Sequence, residues 1–363
     1  MTNELQPTNR ETVYKDLFIA DNLIKELTSQ RKTIAVAEGC TGGSILNRIT
    51  VPGATKVFRN GVIVYSQEAK KGLGVKKETM DQYGEYSPEV VIEMAKQVRR
   101  LRNDNLAIST VGEVGSSNPH SWVHIGYAFD NGDAFSQSML IGNEGKALNK
   151  SMVANTSLVN GLMMLTDRKR SLVSVMAPLL PEMTNPFATE KLTDLSRQLV
   201  TFLRHHQMTI STIESCTGGA IADVITNSPG SSKVFNQGWV VYDENAKIML
   251  GVPLSALSFG QVYSPQVSME MALALRRKTN TDIVISTTGT MDIMDRRPYH
   301  GDTPPGTIYY SIIVDGHVIT KCLKIEADKR YFMKTKITEH ILIDLLSSLY
   351  ASHNIFFKAI NQK

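Results

Sequence analysis

The strongest constraint on this chain is that it contains one pattern twice. Ile34-Ala35-Val36-Ala37-Glu38-Gly39-Cys40-Thr41-Gly42-Gly43 returns as Ile210-Ser211-Thr212-Ile213-Glu214-Ser215-Cys216-Thr217-Gly218-Gly219. The offset is 176 at the paired glycines, Gly42 and Gly218, and becomes 177 after a one-residue insertion near Pro229. It then holds: Lys56-Val57-Phe58 matches Lys233-Val234-Phe235, Tyr65 matches Tyr242, and Lys70 matches Lys247. Leu73-Gly74-Val75 matches Leu250-Gly251-Val252, and Tyr86-Ser87-Pro88 matches Tyr263-Ser264-Pro265. A period this long is a duplicated domain; solenoid repeats are far shorter. The copies differ where it matters chemically, with Gly39 in the first and Ser215 in the second.

Each copy alternates helical and strand patterns. Tyr14 to Thr28 and Leu192 to Leu203 place apolar residues at helical spacing, and β-branched runs follow at Thr33 to Val36 and Thr209 to Ile213. Gly61 to Tyr65 and Gly238 to Tyr242 read as buried strands, and Asn105 to Thr110 and Asp282 to Thr287 as further ones. Ser87-Pro88 and Ser264-Pro265 are N-cap and first-turn proline of helices running toward Arg100 and Arg277. Val123 to Phe129 with Ala134 to Ile141, and Thr307 to Val314 with His317 to Ile325, resemble closing hairpins. The pattern predicts an α/β chain of two duplicated three-layer α/β/α domains, each a mixed sheet flanked by helices. Their expected bounds are 1–176 and 190–363, with Pro178, Pro181 and Pro186 marking a linker over 177–189.

Composition narrows the partners. A formal charge of +4 over 363 residues gives no reason to expect nucleic acid or a membrane surface, while a pI near 8.8 suits an anionic metabolite. No apolar run approaches the ~20 residues of a membrane span, and Met1 to Arg10 has no signal-peptide character. Cys40, Cys216 and Cys322 form no metal-ligand spacing. A cytoplasmic protein without a metal is the expectation.

Three groups of residues can carry chemistry. A strand delivering Ser215 to a helix start would set its hydroxyl beside backbone N–H groups able to bind a phosphate or an oxyanion, with Gly218 and Gly219 allowing close approach. The commoner use of such residues is an N-cap serine and a packing turn. Cys216 is a rival nucleophile, but Cys40 in the copy lacking the serine points to a small buried residue instead. Lys247, if desolvated, can serve as base to a serine with Tyr242 relaying the proton; a snorkelling lysine and half-buried tyrosine are the plainer alternative. Thr287-Thr288-Gly289 at a strand end can polarise a carbonyl or be an ordinary turn. Arg296, Arg297 and His300 can supply phosphate contacts or form a solvated loop.

Together these motifs resemble the CinA C-terminal domain family, the nicotinamide-nucleotide amidases. That family's pattern is an Ala-Glu-Ser-Cys-Thr-Gly-Gly turn, a Pro-Gly-Ser-Ser segment, Tyr-Ser-Asn-Glu-Ala-Lys, Leu-Gly-Val and a Thr-Gly-Ile-Ala-Gly-Pro loop. Here Ser228-Pro229-Gly230-Ser231-Ser232, Tyr263-Ser264-Pro265 and Pro305-Gly306-Thr307 fall in the expected order. The resemblance implies a serine amidohydrolase, free of metal and cofactor, that converts nicotinamide mononucleotide to nicotinate mononucleotide and ammonia. It implies Ser215 as nucleophile, Lys247 and Tyr242 activating it, and Thr288 assisting; around the substrate we expect Thr217, Gly218, Gly219 and Gly289, with Arg296 and Arg297 from the loop. The first copy has Gly39 and Val111 at the two hydroxyl positions, so it is expected to be inactive. The second copy's loop reads Gly289-Thr290-Met291-Asp292-Ile293, poorer in glycine than the family's. A rival expectation is therefore an inactive nucleotide-binding or protein-interaction module of the same family. Family members resemble homo-oligomers, so the fused copies are expected to form an internal pseudo-dimer, with further self-association open.

Overall fold

The computed structural model of this chain describes residues 10–115, 121–142, 144–166, 189–257, 262–291, 303–326 and 328–360, with side chains from 18 to 352. The chain divides into two compact units, Met1–Ala188 and Thr189–Lys363. The expected linker falls almost wholly outside the described residues.

In the first unit the order is α1 (Arg10–Ser29), β1 (Ile34–Glu38), α2 (Ser44–Ile49), β2 (Phe58–Val64), α3 (Gln67–Leu73), α4 (Lys77–Tyr83) and α5 (Pro88–Arg100). Then come β3 (Leu106–Gly112), β4 (Ser121–Phe129), β5 (Ala134–Ile141) and α6 (Lys146–Leu165). Within this unit the strands lie in the order β2-β1-β3-β4-β5. The pairs β1–β2 and β1–β3 are parallel, and β3–β4 and β4–β5 antiparallel. Every residue of β1 is buried, as a parallel strand covered on both faces requires. Neighbouring residues of β3 show the two covers. Gly161 of α6 packs over Ile108, whereas the Ser109 hydroxyl donates to the Val91 carbonyl of α5 at 2.6 Å.

The second unit repeats this with α7 (Glu190–His205), β6 (Ile210–Glu214), α8 (Ala220–Asn227), β7 (Phe235–Val241), α9 (Glu244–Leu250), α10 (Leu254–Leu257) and α11 (Pro265–Thr279). It closes with β8 (Ile283–Gly289), β9 (Thr307–Val314), β10 (His317–Lys324) and α12 (Arg330–Ile360). Its strand order is β7-β6-β8-β9-β10, parallel around β6 and antiparallel beyond β8. Again adjacent residues reach opposite layers: the Tyr310 hydroxyl meets Asp344 of α12, and Ser311 meets Ser268 of α11 at 2.9 Å. The mixed sheet flanked by helices read from the sequence is the fold of both units.

Local chemistry sets the element starts. Ser87 and Ser264 accept the backbone N–H of Val90 and Val267 at 3.3 and 3.1 Å, with Pro88 and Pro265 in the first turn. Asp243 caps α9 through the Ala246 N–H at 2.7 Å, which fixes the helix that carries Lys247.

Candidate active site

The site of the second unit lies where three parallel strands end. β6 delivers Glu214 and then Ser215, β7 delivers Tyr242, and β8 delivers Thr287 and Thr288. The carboxyl ends of strands in an open α/β sheet are where such folds place ligands.

Ser215 is not the helix cap. Its N–H donates to the Thr287 carbonyl at 3.0 Å, tying the turn to β8, and α8 starts only at Ala220. The cap position is Gly219, at φ 97° and with no side chain to offer, so the helix start is capped from elsewhere. Glu214 does it. Its carboxylate accepts the N–H groups of Gly219, Ile221 and Ala222 at 2.9, 3.2 and 3.0 Å, and the Ala220 N–H donates to the Thr217 carbonyl at 3.2 Å. The helix-start amides expected to receive a phosphate or oxyanion are thus engaged inside the protein. The Thr217 hydroxyl is likewise bonded to the Thr287 hydroxyl at 2.7 Å and wholly buried, so its side chain supports the turn and does not face a substrate. Gly289 has its own structural reason. At φ 155° a Cβ there would stand 2.5 Å from the Thr307 carbonyl oxygen, so the β8–β9 pairing demands glycine.

The freed hydroxyl of Ser215 meets Lys247. The Nζ atom of Lys247 lies 3.4 Å from Ser215 Oγ and 3.4 Å from the Val241 carbonyl, and the two residues are 1% and 5% exposed. Tyr242 is 9% exposed, and its hydroxyl accepts from Arg330, whose guanidinium also stands 5.9 Å from the tyrosine ring centre. The Thr288 hydroxyl donates to the Val262 carbonyl at 3.1 Å. The structure therefore brings Ser215 and Lys247 into direct contact, and it joins Tyr242 to Arg330 and Thr288 to the chain preceding α11. Arg296, Arg297 and His300 lie outside the described residues.

Burial pushes the Cys216 thiol up to about 12, the Thr287 hydroxyl and Arg330 opposing only partly, so at neutral pH it is protonated and a poor nucleophile. Burial also raises Glu214, against the hydrogen bonds from Thr217 and the helix amides. Lys334 of α12, 2% exposed, is pushed down to about 7 by burial, with Arg330 adding and Glu214, Cys216 and Asp223 opposing. Among the described residues no group of His, Cys, Asp and Glu has the arrangement of a metal site. No described helix is long and apolar enough to cross a membrane.

The first unit keeps the frame and lacks both hydroxyls, with Gly39 and Val111 at the positions of Ser215 and Thr288. Glu38 caps α2 through Gly43, Ile45 and Leu46 at 3.0, 3.1 and 2.7 Å, repeating the Glu214 bonds. Gly39 stands at the Ser215 position, and a Cβ added there would lie 2.6 Å from the Thr110 carbonyl oxygen. Tyr65 persists with Lys146 over its ring at 5.8 Å, a counterpart of the Tyr242–Arg330 pair.

Sequence reading gave Glu214 no role, and it placed the family's basic residue only loosely, in the region Asp328 to Lys334, without singling out Arg330 or Lys334. The first had a signal, since Glu38 and Glu214 recur at the repeat offset. Arg330 and Lys334 have only weak counterparts, Lys146 and Lys150, reached after the offset has drifted.

The sequence profile of the CinA C-terminal domain matches residues 16–166 and again 192–349. The chain belongs to the CinA C-terminal domain family. It is similar to a competence-damage inducible protein of Caldanaerobacter subterraneus subsp. tengcongensis, 39% identical over 166 residues that cover 42% of this chain and 40% of that one. A CinA-like protein of Chlorobium phaeobacteroides is 43% identical over 106 residues, covering 29% of this chain and 25% of its own. The chain thus spans well under half the length of these curated relatives. Among solved structures, the competence or damage-inducible protein of Enterobacter asburiae is 26% identical, with a TM-score of 0.41, covering 44% of this chain and 99% of that one. The competence/damage inducible protein CihA of Agrobacterium tumefaciens is 26% identical, with a TM-score of 0.42, covering 45% and 97%. In this CinA-family chain two successive stretches carry the family pattern, and only the second retains both hydroxyls.

Proposed function

We propose that the second unit is a serine amidohydrolase that converts nicotinamide mononucleotide to nicotinate mononucleotide and ammonia, with Ser215 as nucleophile and Lys247 as its base. The observation that carries this reading is the buried contact between Lys247 Nζ and Ser215 Oγ at 3.4 Å. A neutral lysine takes the serine proton as Oγ attacks the carboxamide carbon. Glu214 already holds the amides of Gly219, Ile221 and Ala222, and the Thr217 carbonyl that of Ala220, so the reading assigns the oxyanion to the N–H groups of Cys216 and Thr217, between nucleophile and helix. Lys247 then returns the proton to the departing nitrogen, giving ammonia and an acyl ester on Ser215. Water, losing its proton to the same lysine, cleaves the ester to the carboxylate. Arg330 sets a cation beside Tyr242 at the edge of this arrangement, which suits a substrate bearing a phosphate.

The test is ammonia release from nicotinamide mononucleotide, without added metal, by the native chain and by Ser215→Ala. Turnover that disappears in the variant supports the reading. A native chain that binds the nucleotide without turning it over points to a binding module, and one that does neither removes this substrate.

A further inference from the structure

Both units set a cation against the tyrosine that follows their second strand. Lys146 and Arg330 each begin the last helix of their unit, α6 and α12. Lys146 Nζ stands 5.8 Å from the Tyr65 ring centre, and the Arg330 guanidinium 5.9 Å from that of Tyr242. The Lys146 chain lies across Gly115, where a Cβ would come within 2.9 Å of its Cδ. Burial lowers Lys146 to about 8, so at neutral pH it is still mostly an ammonium, and an added anion would stabilise that charge. Carboxylates gather around a second tyrosine. Burial, then Glu85 and Glu113, then Tyr65 and Cys40, push the Tyr86 hydroxyl up to about 12, so all four residues lie within its electrostatic reach. The Tyr86 ring is 46% exposed and meets Lys70 at 5.4 Å, and Lys70 is paired with Glu85 at 2.5 Å. Under the repeat offset Glu85 and Glu113 correspond to Val262 and Thr290, both uncharged.

We propose that the first unit binds, without transforming, a phosphorylated metabolite that also carries a positive charge, its phosphate on Lys146 and its cationic ring against Tyr86 with Glu85 and Glu113. The proposal rests on the amidase reading only for the phosphate role of the cation–tyrosine pair and for its probe. That probe is nicotinamide mononucleotide, which joins a phosphate to a pyridinium cation. A lysine suits the first group as a charge-assisted donor, and a half-exposed tyrosine face beside carboxylates suits the second. With Gly39 at the nucleophile position and burial pushing the Cys40 thiol up to about 12, a ligand held there meets no ready nucleophile. The nicotinate form sets a carboxylate against Glu85 and Glu113, so the site favours the amide.

The test counts nicotinamide mononucleotide bound by the full chain in equilibrium dialysis, with Ser215→Ala present so that nothing is turned over. A site is expected that Lys146→Met weakens at least about tenfold and that Lys146→Arg retains, arginine being the second unit's own residue at this place. The same site should prefer the amide to nicotinate mononucleotide, and Glu113→Gln should narrow that preference about two- to fivefold. Should the Lys146→Met chain fail to fold, the exposed Glu113→Gln change still reads the site. A Lys146-dependent site in a chain whose native form releases no ammonia keeps the inference and removes the amidase reading. Hydrolysis by the native chain, with a single site indifferent to Lys146→Met, does the reverse. Equal affinity for nicotinate mononucleotide at the Lys146-dependent site, or no bound nucleotide at all, also overturns the proposal.

Discussion

At the scale of single residues, the two copies act as controls for each other. Glu38 and Glu214 make the same three bonds in both, so they belong to the frame; Ser215 and Thr288 occur only in the second copy, the one to which the amidase reading assigns the chemistry. Lys247 is the sharper case, because its counterpart Lys70 survives in the first copy with a different partner. Lys247→Met is expected to lower hydrolysis about 100- to 10,000-fold, the range typical of a lost general base. Lys247→Arg should not rescue it, since a guanidinium keeps its charge at every accessible pH. Steady-state kinetics on both variants, with nucleotide affinity measured separately, checks this. Comparable activity in the arginine variant would mean that residue 247 contributes charge and not proton transfer.

At the scale of elements, the turn between β6 and α8 is held by a carboxylate that precedes the nucleophile by one residue. Glu214→Gln turns one oxygen into a donor, and either orientation of the amide sets it against a backbone N–H. The expected cost is about 1–3 kcal/mol of stability, measured by denaturant unfolding. Glu38→Gln should cost a similar amount in the first unit and leave hydrolysis unchanged. Lys334 in α12 adds a pH dependence. An unfolded lysine titrates near ~10.4, whereas burial holds this one at about 7. Between those values the unfolded chain binds a proton that the folded chain does not, so stability rises with pH across that window. It is lowest below about pH 7, and the slope from this group reaches at most about 1.4 kcal/mol per pH unit. Lys334→Met should flatten that slope in urea titrations from pH 6.5 to 9. The same comparison shows what the sequence could reveal. Strand and helix order and the serine caps at Ser87 and Ser264 were legible because hydrophobic spacing and cap chemistry are local signals, whereas the Ser215–Lys247 pair was legible through the family resemblance. Arg330 and Lys334 were not, because their partners lie about a hundred residues away on other elements. Thr217 and Gly219 were legible as special residues, but motif position alone does not say whether a hydroxyl or an amide faces a ligand or a neighbouring strand.

At the scale of the whole molecule, the duplication has a consequence for each unit taken alone. The second unit has its own five-strand sheet, helices on both faces and a complete set of candidate reacting groups. Within that unit β7 pairs only with β6, so an isolated copy carries β7 as a free edge of a mainly apolar strand. Exposed edges of this kind invite pairing with another chain. We propose that fusing two copies makes an internal pseudo-dimer and so spares the second unit such self-association. A truncation spanning Thr189–Lys363 is then expected to self-associate or precipitate where the full chain does not. Light scattering behind size exclusion, with hydrolysis measured on the same fractions, reads both properties at once. A monodisperse, fully active monomer of the second unit would show that the first copy is dispensable for folding and catalysis. A truncation that is active only as a dimer would show instead that the second unit needs a copy beside it, and that the first copy supplies one.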